Sequence, residues 1–193
     1  MSNSGLSNSS RNSAVHIWDF DGVLCESLTE CLTVLALAIH RREHPGETIT
    51  RRTIARVCSD KVVAELDQWM RPLRPFIVRG QDYLWQYDAK ALLQKDFGSR
   101  ADYDAVMKTR FSREQDDQYT GLFYESRELL AKVLADHYLS LFTCQRGAVH
   151  ALRLSLSRHQ TFICTNRDRQ AIELVMKPYQ IELPRHQIYS KDF

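Results

Sequence analysis

Two carboxylates stand two residues apart near the start of the chain, directly before a glycine. In the stretch HIWDFDGVLCES, residues 16–27, Asp19 and Asp21 follow an apolar run and precede Gly22. Side chains two apart on extended backbone leave on the same side, and glycine lets the chain turn sharply or approach a bound group. Such a pair can divide labour, one carboxylate as nucleophile and the other as acid and then base. Both also offer the hard oxygen ligands that suit Mg²⁺, which would neutralise a phosphate.

Strand and helix patterns alternate at the two ends of the sequence. Residues 14–18 form a short apolar run with the length and composition of a buried strand. TFICTN, residues 161–166, has the same character and ends on Thr165 and Asn166. Helical patterns precede and follow it, and HQIYSK, residues 186–191, resembles a further short strand. The alternation predicts a parallel α/β sheet, and in such sheets ligands lie beyond the carboxyl ends of the strands.

The middle of the chain is helical in its pattern. From Leu28 to about Arg146 apolar residues recur at the spacing of one helix face, with breaks at Pro45, Pro72 and Pro75. We therefore predict four segments. They are a disordered Ser/Asn-rich tail at 1–14, a first core part at 15–27, a helical cap at 28–146 and a second core part at 147–193.

Composition narrows the class of protein further. Of the 193 residues, 44% are apolar and 26% charged, as is typical of soluble globular proteins. A net charge of +2 favours neither nucleic acid nor a membrane as partner, and we expect no transmembrane helix. Five cysteines without a CxxC pair predict no closed disulfide framework and no redox role, and therefore a reducing, cytoplasmic setting.

Residues 19–27, DFDGVLCES, resemble motif I of the haloacid dehalogenase-like (HAD) hydrolase superfamily, an apolar strand followed by DxDGxLxxS. The strand that ends in Thr165 and Asn166 resembles motif II, and Gly147 opens a segment similar to the helix before it. The helical segment lies where such enzymes carry a C1 cap. The resemblance implies an α/β fold, with a Rossmann-like parallel sheet core and an inserted all-helical cap. The second acid, Asp21, places the pattern nearest the phosphatase and phosphomutase branches.

The resemblance also implies a mechanism and a set of site residues. Asp19 would attack phosphorus and form an aspartyl-phosphate, while Asp21 protonates the leaving oxygen and later activates water. Mg²⁺ would bind the Asp19 carboxylate and the Asp21 backbone carbonyl. Thr165 and Asn166 would donate hydrogen bonds to the phosphoryl group, and Gly22 would allow its close approach. The expected function is hydrolysis of a small phosphorylated metabolite selected by the cap.

The sequence departs from the family's pattern at its C-terminal end. A third motif with a lysine and a fourth motif with magnesium-binding acids have no counterparts before the chain reaches IYSKDF. Lys191 and Asp192 lie within the third predicted strand, and we do not expect them to replace those groups. The strand before Asp19 would also lack a neighbour on one side. Three alternatives follow: a fragment of a longer enzyme, completion by a partner chain or second copy, or a binding domain without turnover.

Three further patterns have simpler explanations. An EF-hand counted from Asp19 would need glycine where Leu24 stands. HRREH, residues 40–44, matches a zinc-protease pattern, but Pro45 and Gly46 follow at once, so a solvated helix end is expected. The arginines at 71, 74 and 79 alternate with aromatic residues at 76 and 83, which suits an anionic ligand, although an exposed cap surface is the simpler interpretation.

Overall fold

The computed structural model describes residues 14–89 and 99–190, and these form two compact units. One unit comprises residues 14–25 and 144–190, and the other comprises Glu26–Thr143. Lys191 and Asp192 lie outside the described residues, as does nearly all of the tail predicted to be disordered.

The secondary structure of the described residues is mainly helical. The α-helices are α1 (Leu28–Glu43), α2 (Arg51–Val57), α3 (Asp60–Met70), α4 (Gly80–Asp88), α5 (Arg100–Arg110), α6 (Arg113–Leu134), α7 (Arg146–Arg158) and α8 (Arg169–Met176). Short 3₁₀ helices cover Arg71–Phe76, Ala135–Leu141, Lys177–Tyr179 and Arg185–Gln187. The strands are β1 (Val15–Trp18), β2 (Cys25–Glu26), β3 (Thr143–Cys144), β4 (Gln160–Cys164) and β5 (Ile188–Tyr189).

The predicted α/β fold with a Rossmann-like parallel sheet core is wrong. Helices account for 69% of the described residues, and the five strands are short. The larger sheet has three strands in the order β1-β4-β5, and β5 contributes only two residues. Strand patterns do occur where the sequence indicated them, but they build a small sheet in a mostly helical fold.

The three-stranded sheet is parallel and buries one of its faces. Trp18 of β1 lies beside Ile163 of β4, which in turn lies beside Ile188 of β5. Paired residues in neighbouring strands share a face, and Ile163 and Ile188 are fully buried. Helix α7 packs on this face, where Ser155 Oγ lies 2.7 Å from both His16 Nδ1 and Thr161 Oγ1.

The opposite face of the sheet is exposed. Val15 and Ile17 of β1 are 55% and 67% exposed, and Tyr189 of β5 is 42% exposed. The prediction that residues 14–18 form a buried strand is therefore half wrong. A continuous apolar run is typical of strands covered on both faces, whereas β1 is covered only on the side of His16 and Trp18.

A disulfide joins Cys25 to Cys144, across 119 positions of sequence. Their Cα atoms lie 3.9 Å apart, and β2 and β3 pair at the same place. The unit that holds the three-stranded sheet is called the sheet unit below. The bond links Cys25, where the chain leaves the sheet unit, to Cys144, where the chain returns to it. The sequence predicted no closed disulfide framework, and this one bond corrects that expectation. Five cysteines leave room for one pair and three free thiols: Cys31, Cys58 and Cys164.

Reducing this disulfide is expected to lower the free energy of unfolding by about 2–4 kcal/mol, since the crosslink restricts the unfolded chain. Guanidinium unfolding with and without a dithiol reductant measures the loss. A Cys25→Ala/Cys144→Ala variant should unfold like the reduced protein and respond no further to reductant. Cys164→Ser, which removes an exposed free thiol, is the matched control. Superimposable oxidised and reduced curves would show that the bond contributes nothing.

The helical unit is built around α1, which is buried along most of its length and packs on α3, α4 and α6. Glu30 of α1 is fully buried and pairs with Arg127 of α6. Arg127 Nε donates to Glu30 Oε1 at 2.8 Å and Arg127 Nη2 donates to Glu30 Oε2 at 3.2 Å. Tyr138 Oη also donates to Glu30 Oε1, at 2.9 Å. The buried carboxylate thus has both a counter-ion and hydrogen-bond donors, as burial of a charge requires.

Candidate functional site

Asp19 follows the last residue of β1 and is exposed to solvent. Its Oδ1 accepts a hydrogen bond from the backbone N–H of Phe20 at 2.7 Å. Phe20 is completely buried, so it anchors the chain directly beyond Asp19. The carboxylate is thus held at one oxygen while the side chain remains open to a ligand.

A tight turn carries Asp21 just beyond this point. The amides of Leu24 and Cys25 both donate to Phe20 O at 3.0 Å, and Gly22 N donates to Cys25 O at 2.8 Å. Gly22 has φ of +80°, in the left-handed region that glycine adopts at little cost. The predicted sharp turn is present, and it stands next to the Cys25–Cys144 disulfide.

Thr165 and Asn166 follow β4, the neighbour of β1 in the sheet. Because β1 and β4 are parallel and in register from Val15 to Trp18, their carboxyl ends lie at the same edge. Thr165 N donates to Tyr189 O at 2.9 Å, which fixes the backbone there. Thr165 Oγ1 accepts from Arg167 N at 3.3 Å, so its own hydroxyl proton remains a donor. Asn166 is exposed.

Arg167 lies at the candidate site and was not among the residues predicted from the sequence. Its Nε lies 3.0 and 3.2 Å from the two carboxylate oxygens of Asp21, and its Nη2 lies 2.9 Å from Asp21 Oδ1. The arginine side chain is 1% exposed, against 22% for Asp21. Through its backbone N–H to Thr165 and its guanidinium to Asp21, Arg167 ties the two strand ends together. Its one sign in the sequence was a basic residue directly after Thr165 and Asn166, and that residue was assigned to the helical pattern that follows.

Asp19 and Asp21 therefore differ in their exposure and in their partners. Asp21 is held by a nearly buried guanidinium that offsets its charge, whereas Asp19 is an open carboxylate with a backbone donor on one oxygen. An arginine–carboxylate pair of this kind fixes orientation strongly. The arrangement gives one free carboxylate, one oriented carboxylate and a hydroxyl donor at neighbouring strand ends.

The donors suit magnesium only together with a phosphate. Mg²⁺ in phosphoryl-transfer sites commonly uses one or two carboxylates, the substrate's phosphate and water. The Asp19 carboxylate and the Asp21 backbone carbonyl fit that set, while the Asp21 carboxylate is occupied by Arg167. Within 14–89 and 99–190, no three His, Cys, Asp or Glu side chains cluster as a metal site. The residues that fit a Mg²⁺ shared with a phosphate are thus the Asp19 carboxylate and the Asp21 backbone carbonyl.

The other patterns of the sequence have structural roles. His40 in HRREH is nearly buried, its Nε2 lies 3.0 Å from Glu47 Oε2, and α1 ends at Glu43. Among the arginines, Arg71 pairs with Asp67, and Arg79 pairs with Asp82 and Asp116. These acids neutralise both guanidinium groups locally, so the pattern gives no support to nucleic-acid binding.

Comparison with known proteins assigns the chain to no family. No family model matches the chain, and no curated protein or solved structure matches it. None of the helices in the described ranges has the length and apolar character needed to span a membrane.

Proposed function

We propose that this protein hydrolyses phosphate monoesters of small metabolites, with Asp19 as nucleophile. The observation that carries the proposal is the parallel, in-register pairing of β1 with β4. It brings the end of the strand before DxDG beside the end of the strand before Thr165 and Asn166. The similarity of these two segments to HAD motifs I and II supports the same chemistry, although the fold is not the one that the resemblance implied.

Each residue has a defined role in the proposed reaction. An Asp19 oxygen attacks phosphorus as the bond to the leaving oxygen breaks, and Asp21 in its protonated form gives that oxygen a proton. Water then attacks the aspartyl-phosphate and passes a proton to Asp21, which releases phosphate and restores both acids. Thr165 and Asn166 donate to the phosphoryl oxygens throughout, and Arg167 keeps Asp21 oriented.

Mg²⁺ is the proposed cofactor, with the Asp19 carboxylate and the Asp21 carbonyl as its protein ligands. When bound, the ion supplies positive charge that offsets the repulsion between Asp19 and the phosphate. Arg167 offsets the negative charge of Asp21 in the same way, through the ion pair between the two side chains. The two acids therefore receive their counter-charges from different sources.

The contacts between Asp21 and Arg167 also favour a second function. Both oxygens of Asp21 contact a guanidinium that is almost fully buried, an arrangement that also suits a purely structural ion pair. The alternative is therefore a domain that binds a phosphorylated ligand or a protein partner without turnover. The exposed apolar face of the sheet, at Val15 and Ile17, is consistent with the predicted partner chain or second copy.

A phosphatase assay separates the two functions. We expect the purified chain to hydrolyse p-nitrophenyl phosphate or members of a panel of phosphorylated metabolites, and chelation of Mg²⁺ to stop the reaction. Beryllium fluoride, which mimics an aspartyl-phosphate, should bind with Mg²⁺ and inhibit, as ¹⁹F NMR would detect. Absence of both turnover and beryllium fluoride binding would reject the enzyme and favour the binding domain.

A cytoplasmic location is part of the proposal. Structural disulfides persist mainly in oxidising compartments, so in a reducing cytoplasm we expect Cys25 and Cys144 to be free thiols. Alkylation of thiols in intact cells, followed by mass spectrometry, tests it directly. Alkylated Cys25 and Cys144 would support the reducing compartment.

A further inference from the structure

A cavity of about 330 Å³ opens in the helical unit between α1, the end of α2, α3 and α4. Helices α1 and α3 each contribute four lining residues at i, i+3, i+4 and i+7, beginning at Ala36 and Val62. This spacing is that of one helix face. The floor between them includes Ile39 and the buried Leu66.

Two aromatic rings form one wall of the cavity. Trp69 of α3 and Tyr87 of α4 are both partly exposed, with ring centroids 6.1 Å apart and planes inclined by 44°. A cation placed between the two inclined ring faces can lie within about 6 Å of both ring centroids. Ring quadrupoles attract a cation over this range. Inclined aromatic walls of this kind recognise ammonium groups that carry alkyl substituents.

The acidic residues at the rim of the cavity have the charge that attracts a cation. Glu43 ends α1 and Glu65 lies one turn before Trp69 on α3, and both are exposed at the cavity. Among the described lining residues there is no Lys or Arg. Lys61 approaches Glu65 only to 4.0 Å, with both side chains mostly exposed, so that pair is weak. His40 also lines the cavity, with its Nε2 3.0 Å from Glu47 Oε2. In a chain of net charge +2, the rim of this aromatic cavity thus carries two acids.

Other occupants fit less well. A metal ion would need a cluster of ligating side chains, and the described residues hold no group of three. A neutral apolar molecule would use the floor but gain nothing from two acids at the rim. An anion would face Glu43 and Glu65 directly.

We propose that this cavity binds a small organic cation with a quaternary or alkylated ammonium head. The alkyl groups contact the apolar floor, the charge lies over Trp69 and Tyr87, and the two glutamates attract it from the rim. The site lies within the helical unit and does not depend on the phosphoryl-transfer proposal, so either can fail alone.

Isothermal titration of the whole chain with choline chloride tests the proposal, with sodium chloride at equal ionic strength as background. We expect saturable binding to one site, and weaker binding of 3,3-dimethylbutan-1-ol, the neutral isostere of choline. Trp69→Leu should weaken choline binding about five- to thirtyfold, the range of a desolvated cation–π contact. Glu43→Gln/Glu65→Gln should weaken it about threefold or more.

Glu128→Gln removes another exposed acid, one of α6 that lies outside the cavity, and should bind choline like the wild type. If Trp69→Leu does not fold, as circular dichroism would reveal, the double glutamine variant carries the test alone. Three results would overturn the proposal: no saturable heat at millimolar choline, equal affinity for the neutral isostere, or unchanged affinity in the double variant.

Discussion

Replacing Asp19 with asparagine is expected to reduce phosphate-monoester hydrolysis by on the order of 10⁴- to 10⁶-fold, the scale on which loss of a nucleophile acts. An amide oxygen is too weak a nucleophile to displace the leaving group, so no aspartyl-phosphate can form. The fold should survive, because asparagine has the same shape and its Oδ1 can still accept from Phe20 N. Since Asp19 is exposed, the free energy of unfolding should change by no more than about 0.5 kcal/mol.

Steady-state kinetics and guanidinium unfolding of the same preparation check both halves of this prediction. Asp117→Asn, the same change at an exposed aspartate of α6, is the matched control and should leave turnover unchanged. Asp21→Asn is a poorer test, because it also disrupts the pair with the nearly buried Arg167. Wild-type turnover in Asp19→Asn would refute the assignment of the nucleophile.

Replacing Arg127 with methionine is expected to lower the free energy of unfolding by about 3–5 kcal/mol, because it breaks a buried ion pair by removing one partner. Glu30 is 0% exposed and takes two of its hydrogen bonds from this guanidinium. The guanidinium also lies over the ring of Phe123, 5.1 Å from its centroid. The Glu30 carboxylate would keep Tyr138 and Cys31 as donors but lose its ion pair with Arg127.

Chemical denaturation measures the effect, and Arg71→Met provides the comparison. Arg71 pairs with Asp67 one helical turn away at the surface of the same unit, with its side chain 65% exposed, so about 0.5 kcal/mol or less should be lost. A Glu30→Met/Arg127→Met double variant should recover part of the stability, since paired apolar replacements often do. Equal losses in the buried and surface variants would contradict this account.

Local patterns were the part of the fold that the sequence could predict. β1 and β4 lie where apolar runs indicated strands, and the helical stretch after Leu28 begins as α1. These features depend on neighbours within a few residues. The extent of the sheet depends on which strands pair, and no local pattern predicts that β5 would contribute only two residues.

Local features of the candidate site could be predicted from the sequence in the same way. The types and spacing of Asp19, Asp21 and Gly22 were visible in a dozen letters, and Gly22 has the positive φ that its turn requires. Arg167 was not visible, because its partner Asp21 is 146 positions away. The Cys25–Cys144 bond was missed for the same reason. Contacts between distant positions follow from the folded chain and leave no periodic trace in the sequence.

The closeness of Cys25 and Cys144 has a consequence for the chain's architecture. With Cα atoms 3.9 Å apart, the two junctions of the Glu26–Thr143 unit meet at one point of the sheet unit. Insertions with adjacent ends are the kind that a host fold tolerates. Changes in the length or sequence of this segment therefore place little demand on β1 and β4, the strands that precede Asp19 and Thr165.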